Sequence, residues 1–309
     1  MLAAAAILPG TEASLIALSR ARESMPCPVG APRPEIVELA TDKGRVLELA
    51  AGFGLAVPPS IVAAPAELAQ RCEELGYPSI LKPLRTRTEL GDSRLAYYKA
   101  RRVASASELK LALADLPPTP WVVQPYLPGK LSAVSGVAWE GRLFGTVHQV
   151  SHRIWPADVG YSTYAETVEA DGELDTHIAE LLAAIGWSGI FQAQFLGDHA
   201  GGRFLIDFNP RAYGSLALAV RAGANLPAIW AKLVLGGRPD PPAYRPGVRY
   251  RLEHSDVRAL ARRLREGDVK GTIAGMVPRR RTVHAIFSLR DPGPLLTTGS
   301  KLLGRRTRG

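Results

Sequence analysis

The sequence predicts a mixed α/β (α+β) chain of short strands and amphipathic helices, and three observations carry that expectation. Residues 172–186 set Ile178, Leu181, Leu182 and Ile185 at i, i+3, i+4 and i+7, the spacing of one helix face. Gly189–Leu196 and Phe204–Asn209 read as two strands returning on each other across a Gly-rich turn at 197–202. Upstream, a helix signal at Thr41-Asp42 is succeeded by an extended segment, a second helix and the short apolar strand Ser79-Ile80-Leu81-Lys82-Pro83. The totals agree: 309 residues suit about two domains, and 46% hydrophobic against 22% charged residues is enough for a real core.

In chain order, residues 3–8 read as a buried strand, Glu12 to Arg22 as a helix with Leu15, Ile16 and Leu18 apolar, and 24–34 as a Pro-rich loop. This front part is too small for a core of its own and must pack against the segments C-terminal to it. Asp42 caps a helix carrying Val46, Leu47, Ala50 and Phe53, and Gly52 and Gly54 end it. Val57–Val62 is extended, and Pro65 opens a helix with Leu68, Cys72 and Leu75 on one face. The strand 77–83 delivers Lys82 among apolar residues, which is costly unless the lysine meets an anion. A polar, cationic hairpin loop at 84–94 leads to a strand at 95–99, and nothing in it matches a P-loop. Ser105 and Glu108 have capping-box spacing. Trp121–Gln124 is a strand running into the Pro-punctuated stretch Pro125-Tyr126-Leu127-Pro128-Gly129. Two long strands, 132–139 and 143–151, turn at Glu140-Gly141, then a polar loop at 152–160 precedes a strand near 164–168. After the hairpin come broken helices at 215–235, a strand at 248–252, a helix near 255–265 and a Pro/Gly/Arg-rich end.

Charge and cysteines bound the function. Thirty-eight Lys+Arg against 29 Asp+Glu give +9, but the excess sits in clusters such as Arg262-Arg263 and Arg279-Arg280-Arg281 that read as solvated surface. Nucleic-acid binding therefore rests on charge alone. Cys27 and Cys72 have no metal or disulfide spacing and read as buried fillers, which fits a reducing cytoplasm. No apolar run is long enough to span a membrane, and the opening residues lack the basic start of a signal peptide.

The chemistry concentrates in Phe204-Leu205-Ile206-Asp207-Phe208-Asn209-Pro210-Arg211. Strand alternation puts Phe204, Ile206 and Phe208 on one face and Leu205, Asp207 and Asn209 on the other, and Pro210 stops the ladder. A carboxylate, an amide oxygen and a guanidinium at a strand end suit a hard cation and phosphate oxygens. Alone, these residues fit equally an Asx-type turn with a surface arginine. Pairing of the two strands puts Gln194 within about one residue of Asp207, on the same side.

The order of these motifs resembles the ATP-grasp superfamily, in particular its bacterial carboxylate–amine ligase-like members. The resemblance covers residues 40–235 and implies two α+β subdomains sandwiching a nucleotide, behind an abbreviated N-terminal segment. It divides the chain into 1–40, an ATP-grasp unit 41–238 with subdomains 41–124 and 125–238, and an extension 239–309. It implies ATP with Mg²⁺ (or Mn²⁺) as cofactors. Lys82 then matches the strand lysine on the α- and β-phosphates, and Lys43 an earlier lysine near them. Gln124 with the backbone of Pro125, Tyr126 and Leu127 matches the hinge that holds adenine. Asp207 and Asn209 match metal ligands, with Gln194 at a third ligand position. Arg211 matches the arginine on the transferred phosphoryl group, and Arg153 a further phosphate or substrate contact. His148 and His177 are given no catalytic part.

The implied reaction turns a carboxylate into an acyl-phosphate that an amine, or a thiol, then attacks. The partners are small molecules and a possible second copy of the chain, with no membrane. Two departures stand out. Gln194 replaces the carboxylate the family usually has before the DxNPR hairpin, and Lys130 stands where many members bind ribose with an acid. They motivate an alternative, an ATP-binding regulatory or scaffold protein with weak catalysis.

Overall fold

The computed structural model describes residues 4–89, 95–197, 202–288, 291–294 and 297. The front part is helical rather than stranded. Ile7 makes only a single parallel bridge to Val29, and α1 (Glu12–Ala21), α2 (Pro34–Thr41) and α3 (Lys43–Gly52) come after it. Thr11 caps α1 through Ser14, and Asp42 caps α3 by accepting the Arg45 N–H. The sequence reading missed α2. Its eight residues are bounded only by Arg33, which gives no side-chain cap, and by Pro34 in its first turn.

A four-stranded sheet comes next, in the order β1-β6-β2-β5. Its parts are β1 (Ile61–Ala63), α4 (Leu68–Leu75), β2 (Ser79–Pro83), the small hairpin β3 (Arg87–Glu89) and β4 (Leu95–Tyr97), β5 (Arg101–Val103), α5 (Ala106–Leu113) and β6 (Trp121–Pro125). Strand alternation divides it cleanly. Leu81, Val103, Trp121 and Val123 pack on Leu68, Cys72 and Leu109 of the two helices. Ile80, Lys82, Val122 and Gln124 fall on the other face, with Lys82 opposite Val122 and Ile80 opposite Gln124. Cys72 is buried as expected, whereas Cys27 is half-buried. The glycine of the 84–94 loop lies outside the described residues.

The second sheet has seven strands in the order β11-β10-β7-β8-β9-β12-β13. It runs through β7 (Lys130–Trp139), β8 (Arg142–Trp155), β9 (Tyr161–Thr167), α6 (Gly172–Ile185), β10 (Gly189–Gly197), β11 (Arg203–Asn209), α7 (Leu216–Ala222), α8 (Leu226–Val234), β12 (Arg249–Arg251), α9 (Glu253–Arg265), α10 (Val269–Met276) and β13 (Thr282–His284). One face carries α3 and α6, with Ile178, Leu181 and Leu182 packed on Phe191, Phe195 and Phe208. The other carries α7 and α8, with Ala219 and Trp230 packed on Val137, Val147 and Ile190.

Two corrections concern this sheet. β8 runs on through His152 and Arg153 to Trp155, so the expected loop at 152–160 is strand in its first half. Irregular pairing with β9 around Arg153 keeps it in the ladder despite its polarity. The alternation expected for β11 also fails. The β10–β11 register slips between Gln194 and Phe195, so Leu205 and Phe208, three residues apart, both enter the core, while Phe204 and Ile206 are only half-buried. α10 and β13 had no sequence signal strong enough to read. α10 contains two glycines in eight residues, and β13 has three residues paired parallel to β12.

Candidate functional site

The Gln194–Asp207 pairing expected from the hairpin is present, and the two residues are direct cross-strand partners. Gln192 pairs with Asn209 one step along. Both pairs lie on the sheet face that carries α7, since Ile190, Gln192 and Gln194 alternate along β10. Pro210 ends the strand there and Arg211 turns back, so that its Nη2 donates to Asn209 Oδ1 at 2.9 Å.

Two lysines converge on this strand end from different elements. Lys43, the first residue of α3, donates to Asp207 Oδ1 at 2.6 Å. Lys82, on the four-stranded sheet, donates across to the Ile206 carbonyl at 2.7 Å. The side chains are largely enclosed: Lys43 is 12% and Asp207 22% exposed. Burial would push the Asp207 carboxyl up, but the charges of Lys43, Lys82 and Arg211 outweigh it and hold it below the usual carboxylate range. Burial brings the Lys82 ammonium down to about 8, partly offset by Asp207 and reinforced by Lys43. Lysine, carboxylate and guanidinium are therefore assembled before any substrate arrives.

One member of the cluster was missed by sequence reasoning. Glu12, in the first turn of α1, is 7% exposed. Its Oε1 accepts the Arg87 N–H at 3.1 Å, and its Oε2 lies 3.7 Å from Arg211 Nε. Burial pushes its carboxyl up, against the pull of Lys43 and Arg211. An acid in the first turn of a helix is the commonest of signals for favourable interaction with the helix dipole. Nothing in the sequence around Thr11 distinguishes this one, because its partners Arg87 and Arg211 are remote along the chain.

The hinge residues are placed at the end of β6. Gln124 is buried, and its amide donates to Ser60 Oγ at 2.8 Å. Tyr126 N–H is taken by the Pro78 carbonyl at 2.8 Å. Pro125 and Pro128 have no N–H. Leu127 N–H thus remains the hinge donor that makes no hydrogen bond among the described residues. The Tyr126 hydroxyl donates to Asp158 at 3.1 Å, and the Arg102 guanidinium lies 4.9 Å from its ring centre.

Arg153 is not brought to the Asp207 cluster. Its Nε and Nη2 donate to the two oxygens of Asp256 at 2.6 and 2.8 Å, and its guanidinium lies 4.2 Å from the Tyr164 ring centre. None of these contacts joins it to Lys43, Lys82, Asp207 or Arg211, so they lend no support to a part at the phosphates beside Asp207. Lys130 is exposed at the start of β7. His148 pairs with Asp175 of α6.

This fold has counterparts among known proteins. Residues 118–255 match the model of a family described as ATP-grasp in the biosynthetic pathway with Ter operon. A comparison with curated proteins finds no match. Among solved structures, the chain is similar to the biotin carboxylase domain of the Hydrogenobacter thermophilus 2-oxoglutarate carboxylase, in a complex with MgADP, ADP and bicarbonate. The TM-score is 0.60 and the identity 17%, with 76% of this chain and 55% of that one covered. It is similar to N5-carboxyaminoimidazole synthetase from Staphylococcus aureus, with a TM-score of 0.57, 17% identity and coverage of 78% and 64%. It is also similar to the VanG D-Ala:D-Ser ligase from Enterococcus faecalis, with a TM-score of 0.51, 19% identity and coverage of 68% and 64%. The chain spans less than two thirds of the length of each of these structures. The chain has the ATP-grasp fold, with its two sheets, and its residues 118–255 are similar to an ATP-grasp family. No helix among the described residues is long and apolar enough to cross a membrane.

Proposed function

We propose that the chain is an ATP- and Mg²⁺-dependent ligase that activates a carboxylate as an acyl-phosphate for attack by an amine. One observation carries the reading: a lysine from α3 and a lysine from the four-stranded sheet meet the same strand end, where Asp207, Asn209 and Arg211 project together. Phosphoryl transfer asks little covalent chemistry of a protein and much positioning and fixed charge. The cluster supplies both without a nucleophilic side chain.

Each group has a part in this reading. Lys82 and Lys43 hold the phosphates, and Leu127 N–H and the hinge backbone hold the adenine. Arg211 steadies the transferring phosphoryl group and the acyl-phosphate. The carboxylate substrate attacks the γ-phosphate, ADP leaves, and the amine then displaces phosphate. In this reading Glu12, whose Oε2 lies beside Arg211, accepts a hydrogen bond from the amine nucleophile.

The donor set fits a hard divalent cation. Asp207, Asn209 and Gln194 offer oxygens, and no group of three or more His, Cys, Asp or Glu forms among the described residues. Mg²⁺ is commonly held by one or two carboxylates together with substrate phosphates. When bound, it would neutralise charge on the β- and γ-phosphates.

Gln194 favours a second reading, a nucleotide-binding regulatory or scaffold protein. A neutral amide opposite Asp207 leaves a single acid in that strand pair. ADP release in the presence of small carboxylates and amines tests the two. Turnover by the native chain rejects the scaffold reading. Nucleotide binding without turnover, with turnover appearing in Gln194→Glu, rejects the ligase reading.

A further inference from the structure

We propose a second anion-binding site on the opposite face of the seven-stranded sheet, for a small molecule carrying a phosphate group. It is independent of the nucleotide reading. A cleft of about 390 Å³ is lined by His152, Arg153, Glu166, Arg249, Arg263 and Arg279. Glu166 and Arg249 are cross-strand partners, each next to a residue that packs with α7, Ala165 and Tyr250 respectively. Alternation therefore sends them to the face away from Asp207. Sequence alone reads Arg263 and Arg279 as solvated surface, and the fold brings them beside Arg153 and Arg249.

The charges do not cancel. Arg153, Arg249, Arg251, Arg263 and Arg279 meet three carboxylates. Asp256 takes Arg153 and Arg251, Glu166 takes Arg249 and shares His152, and Asp268 takes Arg263. Five arginines against three acids leave two positive charges, and Arg279 makes no ion pair among the described residues.

Arg153 gives the cleft a built receptor. It is 8% exposed, fixed by Asp256 through Nε and Nη2 and stacked on Tyr164. Its third nitrogen, Nη1, makes no hydrogen bond among the described residues. A guanidinium held on two sides, with its remaining donors free, is preorganised for an oxyanion.

The wall formed by α10 carries two glycines that lie against the arginines and their neighbours. Gly271 and Gly275 lie one turn apart and both line the cleft. A Cβ at Gly275 would meet Leu260 at 2.6 Å and Arg153 Nη1 at 3.1 Å, and one at Gly271 would meet the Asp268 carboxylate and, at 2.7 Å, Arg263 Nη2. Glycine is a poorer helix former than alanine, and here any side chain at either position would crowd both an arginine and its neighbour. The volume exceeds what inorganic phosphate alone would fill, so the ligand carries an organic body or a second phosphate.

Calorimetric titration of the full chain with pyrophosphate tests this, in wild type and in a Lys82→Ala background that weakens the nucleotide cleft. Saturable binding should persist in Lys82→Ala and weaken about tenfold or more on adding Arg279→Ala or Arg263→Ala, each removing a charged donor at a partly exposed position. Arg280→Ala, which does not line the cleft, should change nothing. Loss of all pyrophosphate binding in Lys82→Ala would overturn the proposal. Binding insensitive to Arg279→Ala and Arg263→Ala would do the same, as would saturable binding of citrate with none of pyrophosphate.

Discussion

Asp207→Asn changes one atom and separates the two things this carboxylate does. In the structure it neutralises Lys43 at 2.6 Å, within a group of three cations (Lys43, Lys82, Arg211) and two carboxylates (Asp207, Glu12). Two unit charges at about 4 Å attract by about 4 kcal/mol at an effective dielectric near 20. Desolvation and the partial exposure of both side chains, 12% and 22%, offset most of that. A net loss of about 1–3 kcal/mol remains, since one partner of an enclosed pair is left uncompensated. For a chain this size that is about 2–4 °C per kcal/mol in the melting temperature. The ligand side moves differently. Nucleotide at a hundredfold excess over its Kd stabilises by about 2.7 kcal/mol, and Asp207→Asn should abolish that for ATP with Mg²⁺. Without metal, in EDTA, the cluster gains one positive charge, and ATP should bind as well as to wild type or more tightly. Calorimetry in the two buffers, with melts of the free protein, reads all three. Equal weakening with and without Mg²⁺ would refute the metal role of Asp207. An unchanged melt of the free protein would refute the ion pair's contribution.

Lys82 has its ammonium lowered to about 8, chiefly by burial, so nucleotide affinity should fall as pH rises through about 8, with proton uptake on binding, and Lys82→Met should flatten that profile. The same depression makes the unfolded chain bind more protons than the native one between about 8 and the ordinary lysine value of 10.5. Lys82 therefore makes stability rise with pH across that window, and denaturant melts of wild type against Lys82→Met should show it. Glu12→Gln should leave the Kd for ATP close to wild type and raise KM for the amine, measured by steady-state ADP release; an equal loss of ATP binding would place Glu12 in the nucleotide site instead. Asp256→Ala strands the buried Arg153 together with Arg251 and should lower stability by about 3–5 kcal/mol, read from the urea midpoint; a change below about 1 kcal/mol would mean that Tyr164 and solvent hold both guanidiniums.

The fold was legible where the local signal was redundant. α6 was legible from the spacing of Ile178, Leu181, Leu182 and Ile185, and the structure adds its ends, with Asp171 accepting the Leu174 N–H and Gly186 closing the helix. The β10–β11 hairpin shows strand, turn and strand, and its Gln194–Asp207 pairing was readable from it. What sequence could not show were features set by distant partners. The slip beside Gln194 is a property of two strands together, and it overturned the simple alternation that put Ile206 with Phe208. The length of β8 is set by pairing with β9, which keeps His152 and Arg153 in a strand although their polarity reads as loop. The same limit applies to the site. Lys82 and Asp207 were legible because each breaks a local pattern, a charge among apolar strand residues. Glu12 breaks none, and its burial depends on the N-terminal helix docking against Arg87 and Arg211.

The central claim is tested most directly by trapping the activated carboxylate. Hydroxylamine stands in for the amine, a panel of amino acids and small carboxylates supplies the acyl group, and hydroxamate, ADP and AMP are measured with ATP and Mg²⁺. The ligase reading predicts carboxylate-dependent hydroxamate formed in step with ADP, lost in Lys82→Ala and Arg211→Ala. Formation of AMP and pyrophosphate instead, or hydroxamate yields indifferent to those substitutions, would contradict it.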